Sequence, residues 1–304
     1  MKTVVLLDGG MGQELLRRSA HKPHPMWSAK VLMDEPEIVE AVHLDYIQAG
    51  ARIITLNNYA VTPERLARDG SLEMFAPLQS RAIEIAHAAR SKSLSCVKHN
   101  LQIAGSLPPL YGSYRPNLVP SFEECLSRYR VIVEAQAGHV DLFLCETMSS
   151  IREGEASATA AKESGLPVWL SFSLEDTCSG CLRSGEPLEA ALRAVAKVNS
   201  DAVLLNCSVP EAIDSALGIL LDNVSSAGAY ANGFTSVDAL EPGGTVENLE
   251  IRQDLGPETY SNFALRWVEL GAKIIGGCCE VGPAHIAKLR SELETHGYQI
   301  TSKL

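Results

Sequence analysis

The chain is expected to fold as an α/β protein, a single (β/α)8 barrel of the TIM type. Three observations predict this: eight short apolar runs of strand character, eight longer segments of helical period alternating with them, and two Gly-, Pro- and Asn-rich stretches that each follow a strand candidate. Strands separated by helices are joined by crossovers and lie parallel. Parallel sheets are covered on both faces, which suits strands with few polar interruptions. Periodicity does not separate a closed barrel from a doubly wound open sheet, but eight repeats of the unit favour closure. At 304 residues the chain is long enough for two average domains, yet barrels of this class commonly use about 250 residues as one domain, and no linker or internal repeat divides it. One domain spanning residues 1–304 is expected.

In chain order, Thr3–Leu7 opens the pattern and is ended by Asp8 and the pair Gly9-Gly10. A helix over Glu37–Ala49, closed by Gly50, leads to a strand at Arg52–Leu56, and a helix over Leu72–Arg90 leads to Leu101–Gly105. Phe122–Ala137 precedes the strand Asp141–Cys145, and Ser149–Glu163, closed at Ser164-Gly165, precedes Val168–Phe172. Prolines in the first turn, where a missing N–H costs nothing, start the helices Pro187–Val198, Pro210–Leu221, Pro257–Glu269 and Pro283–Glu294. Between these lie the strands Ala202–Leu205, Gly228–Ala231 and Lys273–Gly276, of which Gly228–Ala231 has the weakest strand character. The stretches Pro108–Pro120 and Asn232–Gly256 follow the third and seventh strands. In a barrel both sit on the C-terminal face, where long loops build active sites.

Composition narrows the function. With 46% hydrophobic and 21% charged residues the chain can bury a large core, and a net charge of −11 without a basic run argues against nucleic acid as a partner. The apolar start is cut off at Asp8, too short for a signal peptide, and no stretch approaches the roughly 20 apolar residues of a membrane span. Eight cysteines in such a chain read as thiols in a reducing compartment, so a cytoplasmic location is expected.

The cysteines are unequal. Gly276-Gly277-Cys278-Cys279 follows the eighth strand and Asn206-Cys207 follows the sixth. Side chains alternate along a strand, so Cys278 and Cys279 would diverge unless the glycine pair kinks the backbone. The sixth and eighth strands are next-but-one neighbours in a closed barrel, which brings Cys207 to the same mouth. Three soft thiolates with one open position form the pattern of a catalytic zinc site. A Cys-Cys pair alone is more often core packing; Cys207 at the matching position reverses that balance. Cys178-Ser179-Gly180-Cys181 has redox or metal spacing but no second ligand pair, and Cys96, Cys125 and Cys145 read as helix or core residues. His99, His139 and His285 lie near helix ends or strand starts, where exposure is expected over ligation.

With these residues in view, the sequence resembles the homocysteine S-methyltransferase family. The resemblance rests on Asp8-Gly9-Gly10-Met11-Gly12-Gln13-Glu14-Leu15, Trp27-Ser28-Ala29, His43-Leu44-Asp45-Tyr46 with Ala49-Gly50-Ala51, Ala104-Gly105-Ser106, Glu146-Thr147, Asn206-Cys207 and Gly276-Gly277-Cys278-Cys279, in the family's order across nearly the whole chain. It implies a barrel in which Zn2+, held by Cys207, Cys278 and Cys279, binds the thiolate of homocysteine. It also implies that Asp8 and Glu146 hold the substrate ammonium. Two departures bear on the methyl donor: Glu280 stands where many relatives carry a small residue, and Leu56-Asn57-Asn58-Tyr59 replaces a Thr- or Ser-containing turn.

The chemistry is consistent with the residues. A metal-coordinated thiol is deprotonated outright, so no Cys-His or Ser-His pair is needed, and the enzyme's remaining task is to align the donor for in-line attack. Carboxylates at strand ends often serve as helix caps, but two facing one site suit an α-ammonium group. Trp27, Tyr59, Tyr111 and Phe172 are candidates to offer ring faces to a sulfonium donor, although aromatic residues are more often plain packing. A methylfolate route through cobalamin needs further domains, and betaine-using relatives carry C-terminal extensions, whereas this chain ends soon after its eighth helix. Small-molecule partners are therefore expected: homocysteine with S-methylmethionine or S-adenosylmethionine. Alternatives are the same barrel with another donor or thiol acceptor, a metal-dependent hydrolase, for which His and carboxylate ligands are wanting, and a non-catalytic zinc-binding relative.

Overall fold

The computed structural model describes residues 2–94, 97 and 99–304. Its strands form one parallel sheet in the order β2-β3-β4-β5-β6-β7-β8-β1-β9. The strands are β1 Lys2–Leu6, β2 Ile53–Thr55, β3 Gln102–Leu107, β4 Leu142–Met148, β5 Val168–Phe172, β6 Ala202–Asn206, β7 Ala227–Tyr230, β8 Ile274–Ile275 and β9 Tyr298–Thr301. The sheet closes on itself: Leu7 bridges Ile53, the Arg52 amide donates to the Leu6 carbonyl at 2.8 Å, and the Asp8 amide donates to the Ile53 carbonyl at 3.1 Å. Eight strands thus form the barrel and all eight expected strands are present.

Period-two alternation sorts the strand residues into two layers. Val5, Leu7, Ile53, Ala104, Leu142, Leu144, Trp169, Ala202, Leu204, Tyr230 and Ile274 pack together inside the barrel. Their neighbours, among them Val4, Leu6, Cys145, Leu170 and Phe172, join the larger core against the surrounding helices. Those helices are α1 Met11–Arg18, α2 Ser28–Asp34, α3 Pro36–Ala49, α4 Pro63–Asp69, α5 Phe75–Lys92, α6 Phe122–Gln136, α7 Ile151–Lys162, α8 Leu188–Val195, α9 Pro210–Asn223, α10 Pro257–Leu270 and α11 Pro283–Thr295. Thr62, Ser121 and Ser150 cap α4, α6 and α7 by accepting from backbone amides three residues on, and Gly50 and Gly271 end α3 and α10 with positive φ.

Four elements exceed the sequence expectation. The short helices α1, α2 and α4 lie in the loops after β1 and β2. The ninth strand pairs with the first part of β1, Lys2 opposite Tyr298 through Val5 opposite Thr301, and Ser302 behind it donates from its amide and hydroxyl to the Asn100 side chain. Among the described residues no helix is long and apolar enough to cross a membrane.

Candidate active site

Three thiols meet where β6 and β8 end on either side of β7. The Cys207 amide donates to the Tyr230 carbonyl at 3.1 Å and the Cys278 amide to the Ala231 carbonyl at 2.9 Å, so the seventh strand holds both cysteine segments. Alternation would send Cys207 outward, since Ala202 and Leu204 point inward and Asn206 follows them. Instead the Cys207 backbone is left-handed, φ 48°, and its sulfur turns to the mouth. On the other side β8 stops at Ile275. A Cβ on Gly277 would lie 2.1 Å from the Val281 side chain, so only glycine permits the fold-back that carries Cys278 and Cys279 toward Cys207. Cys207 Sγ lies 2.6 Å from Cys278 Sγ and 3.8 Å from Cys279 Sγ, and all three sulfurs fall within 4.8 Å of one another, a cluster able to hold a metal ion. The Tyr114 hydroxyl is 2.9 Å from Cys207 Sγ. Burial pushes the Cys207 thiol up, but hydrogen bonds from Cys278, Cys279 and Tyr114 outweigh it and hold Cys207 well below the ordinary thiol value. Hydrogen bonding to Cys207 and to Cys279, then burial, pushes the Cys278 thiol well up.

Asp8 and Glu146 line the same pocket as these cysteines. Asp8 accepts from the Thr55 amide at 2.7 Å and the Thr55 hydroxyl at 3.2 Å, which orients its carboxyl from β2. Glu146 continues the inward series Leu142, Leu144 along β4 and accepts from the Ser106 hydroxyl at 2.5 Å through Oε1, while Oε2 has no donor among the described residues. Burial raises Asp8 to about 7. Burial, with Asp8 and Cys207 adding repulsion, raises Glu146 to about 8. A cation entering this pocket would favour the ionised form of both carboxyls. Behind Glu146 the backbone of Thr147 is left-handed, φ 63°, and the buried Asn206 side chain clamps it: Oδ1 accepts the Thr147 amide at 2.9 Å and the Ser171 hydroxyl at 2.7 Å, and Nδ2 donates to Thr147 Oγ1 at 2.9 Å. Asn206 thus links the Glu146 turn to the Cys207 turn.

Of the four aromatic candidates, Trp27 and Tyr59 line the pocket, edge to face with ring centres 5.9 Å apart. A Cβ on Gly12 would come within 2.2 Å of the Trp27 ring, so α1 needs glycine there for the indole to sit against it. Trp27 Nε1 and both amide atoms of the buried Gln13, which also lines the pocket, have no partner among the described residues. Tyr111 and Phe172 require correction. Phe172 belongs to the outward series Val168, Leu170, Phe172 and is buried against Gly154 of α7. Tyr111 turns away from the mouth, its ring under the Arg128 guanidinium at 5.6 Å. The aromatic residue that reaches the sulfurs from the third loop is Tyr114, which sequence reasoning missed. Its ring carries Arg183 at 5.0 Å, and Arg183 in turn binds Ser173 and Asp176.

Glu280 does not line the pocket; its carboxylate pairs with Arg17. Asn57 lines it, whereas the amide of Asn58 turns to Gln79 at 2.8 Å. The reading of every cysteine as a free thiol is corrected at Cys178 and Cys181, which form a disulfide: Gly180, at φ 73°, closes the turn and brings their Cα atoms to 5.6 Å. Cys125 and Cys145 are buried free thiols, and Cys96 lies outside the described residues. His99 and His139 are exposed, and His285 caps the start of α11 through the Gly282 amide.

The family model for homocysteine S-methyltransferase matches residues 5–293. The homocysteine S-methyltransferase of Escherichia coli is 33% identical over 95% of this chain and 94% of its own length, and the selenocysteine Se-methyltransferase of Brassica oleracea is 31% identical over 95% and 88%. The crystal structure of the Escherichia coli homocysteine methyltransferase in its metallated form superposes with a TM-score of 0.81 at 30% identity, covering 96% of each chain. Family model, fold and full-length similarity agree, and the chain belongs to the homocysteine S-methyltransferase family.

Proposed function

We propose that this chain, acting as one barrel domain, transfers a methyl group from a sulfonium donor, S-methylmethionine or S-adenosylmethionine, to the sulfur of homocysteine, giving methionine. The observation that carries this is one pocket holding three converging thiols beside two carboxyls raised toward neutrality. The donor set fits zinc. Sulfurs at about 2.3 Å from a tetrahedral ion lie about 3.8 Å apart. The Cys207–Cys279 spacing of 3.8 Å matches, and Cys278 needs about an ångström of opening from its present 2.6 Å. Cys207, Cys278 and Cys279 would hold the ion, and the metal would supply a homocysteine sulfur already in its thiolate form.

The remaining work belongs to the protein. Asp8 and Glu146 ionise as the homocysteine ammonium enters, which places the acceptor sulfur next to the cysteines. Ser106 and Thr55 keep the two carboxyls from swinging away. Trp27 and Tyr59 wall the side from which a sulfonium approaches, and a ring face stabilises its positive charge until the methyl leaves. The thiolate pair forms the new S–C bond as the donor's S–C bond breaks, and the donor departs as a neutral thioether. No proton moves in that step, so the step needs no general base.

The test is methyl transfer to homocysteine by the purified protein with each donor in turn, alongside elemental analysis. Methionine formed in proportion to zinc content supports the proposal. Zinc-loaded protein that yields none with either donor ends it.

A further inference from the structure

The rim of the pocket holds a cation that nothing described so far uses. Arg65, on the first turn of α4, lines the pocket near Tyr59, its guanidinium carbon 5.1 Å from the ring centre. It is held firmly. Its amide donates to the capping hydroxyl of Thr62, its Nε and Nη2 both reach the Pro109 carbonyl, and Nη2 also reaches Ser113, which is itself 2.8 Å from the Tyr59 hydroxyl. All these partners are neutral. Among the described residues no carboxylate lies within ion-pairing distance of Arg65, while Arg68 one turn on is paired with Asp69. Among the described residues Nη1 has no hydrogen-bond partner, the bonds being those of Nε and Nη2. The carboxyl whose charge acts on Arg65, Glu153, is engaged by the Leu110 amide and is itself raised to about 7 by burial.

A partly buried guanidinium fixed in a pocket wall without a counter-ion is arranged for an anion that arrives with a ligand. The two acids at the floor attract ammonium, so the pocket as a whole is polarised for α-amino acids. The acceptor takes the floor, beside the sulfurs. A donor attacked in line must enter from the open side, with its sulfonium inward and its amino-acid end toward the rim. We propose that Arg65 is the carboxylate anchor of the methyl donor, so that this site selects sulfonium donors bearing a free carboxylate. This rests on the sulfonium-donor reading above and adds a subsite to it.

The experiment uses the zinc-loaded full chain and two probes, S-methylmethionine and its carboxyl methyl ester, titrated by calorimetry into wild type, Arg65→Met and Arg65→Lys. Wild type is expected to bind the free acid about ten- to a hundredfold tighter than the ester, the scale of one charge-assisted forked contact. That ratio should collapse toward one in Arg65→Met and fall severalfold in Arg65→Lys, which keeps the charge and loses the fork. A wild-type ratio that persists in Arg65→Met overturns the proposal. Should Arg65→Met fail to fold, an undiminished ratio in Arg65→Lys does the same. A loss that falls on homocysteine binding instead assigns Arg65 to the acceptor and also overturns it. Failure of wild type to methylate homocysteine would count against the parent reading alone, because the binding ratio is measured without turnover.

Discussion

Replacing Glu146 by glutamine should weaken homocysteine binding and strengthen the substrate-free fold at once. The amide keeps the shape and can still accept from Ser106, which holds Oε1 at 2.5 Å. What it loses is the charge facing the substrate ammonium through Oε2. A charge-assisted hydrogen bond of this kind is worth roughly 1.5–3 kcal/mol, or about ten- to a hundredfold in the homocysteine dependence of methyl transfer. Stability moves the other way. The folded-state pKa of Glu146 is raised to about 8 from an ordinary 4.5, so its stabilising contribution is full below about pH 4.5 and is lost as pH rises through 8. At 1.36 kcal/mol per pH unit the wild type forgoes at most about 4 kcal/mol by pH 8, and glutamine removes that loss. The melting temperature of Glu146→Gln without substrate should therefore exceed wild type by several degrees at pH 8 and approach it near pH 5. Zinc content should not change. Full activity with unaltered homocysteine dependence would refute the placement of this carboxylate, as would a melting temperature lowered equally at both pH values.

Two other outcomes follow from the geometry. Cys207→Ala should lose bound zinc, read by elemental analysis, and with it nearly all methyl transfer, because Cys207 is the sulfur that both others contact; a variant that keeps full zinc would remove it from the set. Glu153 tests the support beneath the third loop. One Tyr129 hydroxyl proton cannot serve both the Pro108 carbonyl at 2.9 Å and Glu153 Oε1 at 3.2 Å, so a protonated Glu153 completes the network, in keeping with its rise to about 7 by burial. Wild type should accordingly lose stability, by up to about 3 kcal/mol, as pH rises from about 4.5 through 7, and Glu153→Gln should flatten that part of the profile measured by thermal melts.

Much of this was legible in the residues. Strand positions were recoverable because buried parallel strands leave dense apolar runs, and Glu146 was recoverable because it extends the inward series Leu142, Leu144. The same alternation, applied to β5, places Phe172 outward with Leu170, and that signal was there to be used. Cys207 was recoverable from its place directly after the sixth strand, though not from alternation. Alternation points it outward, and only a left-handed backbone at a non-glycine residue brings it in, which no propensity announces. Tyr114 escaped for a related reason: it too is left-handed, φ 61°, in a loop whose path is set by packing with Phe234, Val237 and Leu249. The ninth strand is four residues of mixed exposure, too short and too irregular for period-two patterning to mark.

The arrangement of the cysteines around β7 carries a consequence for how the molecule matures. Cys207 and Cys278 are 71 positions apart in sequence, and their sulfurs meet only after β6, β7 and β8 have stacked in register. The Asp8 carbonyl receives the Gly277 amide at 2.9 Å, so the same corner also requires the first strand to have joined the last of the barrel. A metal captured there would mark assembly of that corner: before β6, β7 and β8 stack, Cys207 is apart from the Cys278-Cys279 pair, and only the assembled strands present all three sulfurs together. A metal bound there would then link its supply to folding, because an ion that binds only the assembled corner favours the folded form.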